Sequence, residues 1–345
     1  MGLRVGFVGV GGIAKRHLGS SSKRDDIEIV GLADVNVDIA KQMAEEFGGN
    51  VYDNAAELFD KEKPDAAVIC TPPFAHGEIE EAAAERGIHM FIEKPVTVDL
   101  ALAKRVKTAI DSGDVLVQVG YMFRFSKAVQ KVKELLSSRK VAMVQQHYYM
   151  PGMPAKAWWA KMNKGGGQLI EQATHMLDLG RFLAGDVIGV CGRTTQAHDW
   201  TPTSDAPPKP GLCSEYPGVD IPDTTALTMT YESGALGTLS CSMVPQAKWD
   251  NGFKVVAEGL LITIDNGNAS WAGEEEGSME GGAEWHNLVY FDFIDAVKEG
   301  RKGTSVPYSE GIKSLAISVA GYASAEQGGA SVNPDDLIKE AGIDL

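Results

Sequence analysis

The strongest constraint on this 345-residue chain is the rhythm of its first 120 residues. Short apolar runs recur at Val5–Val8, Ile29–Ala33, Ala66–Cys70, His89–Ile92 and Val115–Val119. None shows the every-second-residue alternation of a strand with one wet face, so each reads as a strand covered on both sides. Between them lie stretches of helical character, Ile13–Leu18, Val37–Phe47, Ala75–Arg86 and Leu100–Ile110, with Asp99 placed to cap the last. Strand and helix in alternation build right-handed βαβ units. Residues 1–122 are therefore expected to form a doubly wound parallel α/β domain.

After residue 123 the rhythm changes. A helix over Lys127–Leu136 precedes a strand around Val141–Tyr149, and a second helix is expected over Gln168–Leu183. Thr225–Tyr231, Ala235–Ser242, Phe253–Ala257 and Leu260–Asp265 alternate well enough to be antiparallel strands with one buried face. Helices return at Trp285–Glu299 and Ser309–Glu326. The reading is an α+β domain over 123–345 with a large, mainly antiparallel open sheet, its last helices available to pack back on the first domain. Asp199–Pro222 holds six of the fifteen prolines and no periodicity, as a long ordered loop would.

Composition narrows the function. With 47 Asp+Glu against 32 Lys+Arg the net charge is −15, which argues against nucleic acid and anionic membranes as partners. No run approaches the roughly 18 apolar residues of a membrane span, and the start of the chain lacks a signal-peptide pattern. Cys70, Cys191, Cys213 and Cys241 are scattered, without a CxxC pair, and fit neither a zinc site nor a disulfide framework. Free thiols in the cytoplasm, and no metal, are the expectation.

The first turn carries the clearest motif. Gly9-Val10-Gly11-Gly12-Ile13-Ala14 follows the first strand and opens a helix, the context in which GxGxxA binds a dinucleotide. Gly9 permits the tight turn, Gly11 lets a pyrophosphate approach the backbone, the small Ala14 lets helix and strand pack closely, and the helix N-terminus at Gly12 and Ile13 faces the phosphates. Asp34 ends the second strand 25 residues after Gly9, where a carboxylate can hold a ribose hydroxyl and repel a 2′-phosphate. NAD is thus favoured over NADP. A solvated strand-end acid is the plain alternative for Asp34.

Two more segments end strands on the side where such sheets bind ligands. Thr71-Pro72 with His76 follows Cys70, and Glu93-Lys94-Pro95 follows Ile92. Pro95 stiffens the corner from which Lys94 projects. Partial desolvation beside a nicotinamide cation would favour the neutral amine, which suits proton exchange with a hydroxyl. On the second helix Glu171, His175 and Asp178 stand at i, i+4 and i+7, one polar stripe among apolar positions. A solvated helix face with a surface histidine is the bland reading of that stripe. Gly165-Gly166-Gly167 before it would admit a close neighbour, backbone or ligand.

This ordered set resembles the glucose–fructose oxidoreductase, inositol dehydrogenase and rhizopine catabolism (Gfo/Idh/MocA) family over nearly the whole chain. The shared features are the glycine turn, Thr71-Pro72 with His76, Glu93-Lys94-Pro95, and Gly-Gly-Gln-Leu-Ile-Glu-Gln-Ala-Thr-His-Met-Leu-Asp at 166–178. The resemblance implies that Lys94 and His175 flank the substrate carbon beside the nicotinamide. It sets Glu171 where the sugar and polyol members commonly carry aspartate. The reaction implied is reversible oxidation of a secondary hydroxyl of a sugar, sugar derivative or cyclic polyol. Tyr148, Tyr149, Trp158 and Trp159 could face a sugar ring or pack in a core or interface. Arg124 could bind a substrate hydroxyl or carboxylate, or make an ion pair, and Asp178 joins it as a candidate substrate contact. Two other functions use the same residues: an NAD-dependent glycoside hydrolase or lyase that oxidises a hydroxyl transiently, and a non-catalytic nucleotide sensor. The resemblance also implies that the exposed face of the sheet forms the interface of a homodimer or homotetramer.

Overall fold

The computed structural model describes residues 2–202, 211–245 and 248–345. The chain divides into two compact units. The first holds the residues up to Tyr121 together with Asn287–Ile312, and the second holds Met122–His286 and Lys313–Asp344. The return of 287–312 to the first unit is the departure from a division into 1–122 and 123–345.

In the first unit β1 (Leu3–Val8), α1 (Gly12–Ser21), β2 (Ile27–Ala33), α2 (Val37–Phe47), β3 (Asn50–Tyr52), α3 (Ala55–Glu62), β4 (Ala66–Ile69), α4 (Glu78–Glu85), β5 (His89–Ile92), α5 (Leu100–Gly113) and β6 (Val117–Val119) follow one another. The six strands are parallel in the order β3-β2-β1-β4-β5-β6. Phe7, Leu32, Val68, Phe91 and Val119 are wholly buried, as unalternating apolar runs require. The edge strand β3 and the helix α3 lack such a run and are not legible in the pattern. Asp99 accepts from the Leu102 N–H at 2.8 Å and caps α5 as its position predicts.

The second unit opens with α6 (Lys127–Leu136), β7 (Val141–Tyr149), β8 (Met153–Pro154), α7 (Met162–Gly165), α8 (Gly167–Glu171) and α9 (Thr174–Ala184). It continues through β9 (Val187–Thr195), β10 (Leu212–Cys213), β11 (Thr224–Tyr231), β12 (Leu236–Ser242), β13 (Asp250–Ala257), β14 (Leu260–Asp265), β15 (Asn268–Gly273) and β16 (Gly277–Met279). Eight strands form one sheet, β16-β15-β14-β13-β7-β12-β11-β9, antiparallel except where β12 runs parallel to β7. Register puts Val144, Val255 and Ile262 in one row across β7, β13 and β14. That row is buried in the core shared with Met176, Leu177 and Leu179 of α9. One residue further along each strand the side chains point the other way, and Met143, Val256 and Leu261 are exposed.

α10 (Leu288–Lys298) belongs to the first unit, where the Gln118 amide donates to Val289 O at 2.5 Å. α11 (Tyr308–Glu326) and α12 (Pro334–Glu340) complete the chain. Of the proline-rich stretch expected as a loop, 203–210 lie outside the described residues. Its described part contributes β10, which pairs with β8.

Candidate active site

In the first unit the strand order reverses between β1 and β4, and the motif residues leave the carboxyl ends of β1, β2, β4 and β5. Gly9 has φ +76°, and a Cβ there would lie 2.9 Å from Thr71 Cγ2 and 3.0 Å from the Cys70 backbone. Only glycine fits both the backbone and the space. Gly11 and Gly12 have open space where a Cβ would go. No side chain caps α1, so its first N–H groups stay available to an anion. The Asp34 carboxylate accepts from Val10 N at 2.9 Å and Asn36 N at 2.8 Å, which pins it against the glycine turn. The buried Thr71 Oγ1 has no hydrogen-bond partner among the described residues. A dinucleotide fits this arrangement: the cradle admits no side chain at Gly9, and the anion-binding helix end is uncapped.

His76, expected among the cofactor contacts, is buried, and its Nδ1 pairs with Glu80 Oε1 at 2.5 Å; Glu80 also accepts from Gly77 N. Its imidazole thus braces the start of α4. Glu93 is likewise engaged, with Oε1 2.8 Å from His17 Nε2 and Oε2 accepting from Lys94 N at 3.2 Å. Burial would raise the Glu93 pKa. The hydrogen bond and charge of His17, with the Lys94 charge and N–H, outweigh it and hold the carboxyl below its ordinary value. A charged Glu93 locked to the α1 histidine fixes the corner that presents Lys94, whose peptide bond to Pro95 is cis. His17 thus meets a partner 76 residues away in sequence.

In the second unit the expected helix 168–183 is broken. Ala173 N reaches back five residues to Gln168 O at 2.9 Å, and regular α-helix resumes only at Thr174. This widened turn lies between Glu171 and His175, a place where such irregularities often serve function. Glu171 thus precedes the break in the helix, and His175 and Asp178 follow it. Glu171 Oε2 accepts from Trp159 Nε1 at 3.1 Å. His175 is 7% exposed, with the Phe123 ring edge-on at 5.9 Å. Asp178, 1% exposed, takes two bonds from Arg124, at 2.8 Å (Nε) and 2.6 Å (Nη2), and one from Ser314 at 3.2 Å. Arg124 and Asp178, both expected to contact substrate, are bonded to each other. The glycine triplet admits close neighbours of two kinds: a Cβ on Gly165 would lie 3.2 Å from the Trp158 and Trp159 backbone, and one on Gly167 2.7 Å from the Tyr322 hydroxyl, which donates to Gly166 O.

The aromatic candidates separate too. Trp159 is 1% exposed, so its ring is closed to a substrate and its N–H serves Glu171. Trp158 is partly exposed, with Lys156 5.5 Å above its ring. The Tyr148 hydroxyl donates to Gln172 Oε1 at 2.9 Å, between α8 and α9. Burial, then the Glu171 charge, push its pKa up, so it remains a neutral donor. Tyr149, on the opposite face of β7, bonds Ser240 at 2.7 Å. Among the described residues no three His, Cys, Asp or Glu side chains gather as metal ligands. No described helix is long and apolar enough to cross a membrane.

A parallel sheet of this order with a glycine turn, a strand-end acid and an uncapped first helix defines a dinucleotide-binding α/β protein. A family model described as the oxidoreductase family's NAD-binding Rossmann fold matches residues 3–121, and the Gfo/Idh/MocA C-terminal domain matches 129–261. The chain belongs to the Gfo/Idh/MocA oxidoreductase family, and its first unit carries that family's NAD-binding Rossmann domain. It is 24% identical over 265 residues to a myo-inositol 2-dehydrogenase of Thermotoga maritima, covering 76% of this chain and 75% of that one. It is 30% identical over 193 residues to a D-glucoside 3-dehydrogenase of Escherichia coli, covering 53% and 54%. The chain spans between 53% and 75% of the length of such curated relatives. A levoglucosan dehydrogenase solved with NADH and levoglucosan shares the fold, with TM-score 0.81 at 20% identity over 96% of this chain and 99% of that one.

Proposed function

We propose that this protein is an NAD-dependent dehydrogenase that oxidises a secondary hydroxyl of a sugar, sugar derivative or cyclic polyol. The observation that carries the reading is the convergence of Gly9, Asp34, Thr71 and Lys94 at the carboxyl ends of parallel strands in a family NAD-binding domain. Gly9, Gly11, Gly12 and Ile13 would receive the pyrophosphate and Asp34 a ribose hydroxyl, with Thr71, Pro72 and the braced Glu93–Lys94 corner toward the nicotinamide. Asp34 disfavours a 2′-phosphate, so NAD is preferred to NADP.

Bound NAD supplies a hydride acceptor. The chain supplies the proton chemistry: Lys94 or His175 would take the hydroxyl proton while the other orients the oxygen, and the electron pair left on oxygen forms the carbonyl as the C–H pair departs as hydride. Glu171, held by the Trp159 N–H, orients the imidazole. Purified protein and NAD would be mixed with aldoses, inositols, amino sugars, sugar acids and aryl glycosides and followed at 340 nm. A lasting rise that Lys94→Ala and His175→Ala abolish, with NADH binding kept, supports the reading. Lys94-dependent aglycone release on a flat trace would replace it with redox-assisted cleavage. NADH binding with neither activity would make the protein a sensor.

The open face of the eight-stranded sheet supports self-association as a dimer or tetramer. Leu261, Val256, Met143 and Leu236 are exposed and stand side by side across β14, β13, β7 and β12. At about 4.8 Å per strand they make an apolar bar roughly 14 Å wide. The four cysteines, all free, fit a reducing cytoplasm.

A further inference from the structure

Tyr148, one of the aromatics that could face a sugar ring, is 8% exposed and meets the widened turn at two places. Its backbone carbonyl accepts from Gln168 Nε2 at 2.9 Å, where the turn begins. Its hydroxyl donates to Gln172 Oε1 at 2.9 Å, inside the turn. Gln168, itself buried, gives a second bond to Ser242 O at 3.2 Å, so β7 and β12 hold it together. The Tyr148 ring meets Trp249 edge-on at 6.0 Å, on the wall of a cavity of about 300 Å³.

In a regular α-helix each backbone N–H finds its carbonyl four residues back. Here Gln168 O takes two donors, Gln172 N at 3.0 Å and Ala173 N at 2.9 Å, and the ladder restarts behind them. Breaks of this kind have causes in the groups around them. Tyr148 engages the side chains of two residues that make this one, the residue giving the shared carbonyl and a residue giving one of the N–H groups. Burial, then the Glu171 charge, push the phenol pKa up, so its hydroxyl stays a donor well into the alkaline range. A single strand residue therefore ties both ends of the turn to β7.

We propose that Tyr148 is a positioning residue for the proton chemistry: by tying Gln168 and Gln172 to β7, it fixes the widened turn that separates Glu171 from His175. Glu171 stands immediately before Gln172 and His175 three residues after it, so loosening the turn moves one relative to the other. A reacting group misplaced by about 1 Å loses about a hundredfold in rate. The effect therefore falls on kcat and spares ground-state binding. This rests on the reading in which Glu171 orients the His175 imidazole, but the state of the turn can be measured without turnover.

The test compares the full chain with Tyr148→Phe, Gln172→Leu and Tyr149→Phe, the last losing a hydroxyl that bonds Ser240 on the opposite face of the same strand. Hydrogen exchange of peptides spanning 168–178 is followed by mass spectrometry. Turnover is followed at 340 nm with the sugar or polyol that the wild type oxidises. One neutral hydrogen bond shifts a local opening equilibrium about two- to tenfold, and exchange in Tyr148→Phe and Gln172→Leu should quicken by that factor. Both should lower kcat at least about fivefold while KM changes less than about twofold. Tyr149→Phe should match the wild type in both measurements. Tyr148→Phe keeps the buried ring and Gln172→Leu breaks the same bond from the other side, so misfolding of one leaves the other to decide. Wild-type exchange in both variants overturns the proposal, as does a raised KM at unchanged kcat, which would make Tyr148 a substrate contact. Faster exchange at unchanged kcat overturns it too. If the wild type oxidises nothing, the dehydrogenase reading fails, while faster exchange in Tyr148→Phe still supports the tie and wild-type exchange overturns it.

Discussion

Gly9 and Gly11 sit two residues apart in one turn, yet alanine at each should do opposite things. At Gly9 an alanine must hold φ +76°, which costs about 1–2 kcal/mol for an L-residue. Its Cβ must also displace Thr71 Cγ2 and the Cys70 backbone from 2.9 and 3.0 Å, an overpacking cost of about 1–3 kcal/mol. The unfolded chain of the variant is less flexible, which returns roughly 0.4–1 kcal/mol. Gly9→Ala should therefore destabilise the first unit by about 1.5–4 kcal/mol. At Gly11, φ is −74° and no atom lies within 4 Å of the added Cβ. Gly11→Ala should leave stability within about 0.5 kcal/mol of wild type, but put a methyl where the pyrophosphate must touch backbone. Urea unfolding measures the first quantity, and NADH fluorescence titration the second, with a dissociation constant at least tenfold higher expected for Gly11→Ala. Wild-type NADH affinity in Gly11→Ala, or wild-type stability in Gly9→Ala, would refute the reasoning that the first glycine serves the fold and the second the ligand.

Arg124→Ala leaves Asp178 buried and without its bidentate partner, which should cost about 3–5 kcal/mol in urea unfolding. The double change Arg124→Met with Asp178→Leu should recover much of that loss, and equal stability of the single variant would contradict the pairing. Glu93 is held below the ordinary carboxylate value, so its contribution to stability is present above the unfolded pKa and is lost as pH falls through the folded one. His17→Ala takes away the bond and charge that hold the folded pKa down, so Glu93 contributes less stability at neutral pH and less is lost on acidification. The urea midpoint of the variant should fall less steeply with decreasing pH than that of wild type. Parallel curves of urea midpoint against pH for wild type and variant would count against this. Leu261→Lys, placed in the exposed apolar bar, should shift the mass found by light scattering toward the monomer without lowering stability, and an unchanged assembly would remove that face as the interface.

The parallel domain and its glycine turn are legible in the sequence because their causes are local. A strand buried on both faces must be a short continuous apolar run, a helix must repeat every 3.6 residues, and the turn between them needs glycine. That Lys94 follows a strand end and that His175 stands on a helix are legible for the same reason. Spacing fails where the helix departs from its period. The five-residue reach from Ala173 to Gln168 interrupts the helix between Glu171 and His175, so a spacing counted on one continuous helix does not carry across it.

What the tertiary structure alone decided are the pairings across long separations. Arg124 finds Asp178 over 54 residues and His17 finds Glu93 over 76. Trp159 proves to be core and Trp249 a cavity wall, though both are tryptophans in irregular segments. Residues 287–312 rejoin the first unit after the whole second sheet has been built. Local propensity is a property of a few neighbouring residues and is written in the chain. Which buried charge meets which, and which ring is left facing a cavity, depends on the packing of elements distant in sequence, and no local pattern encodes it.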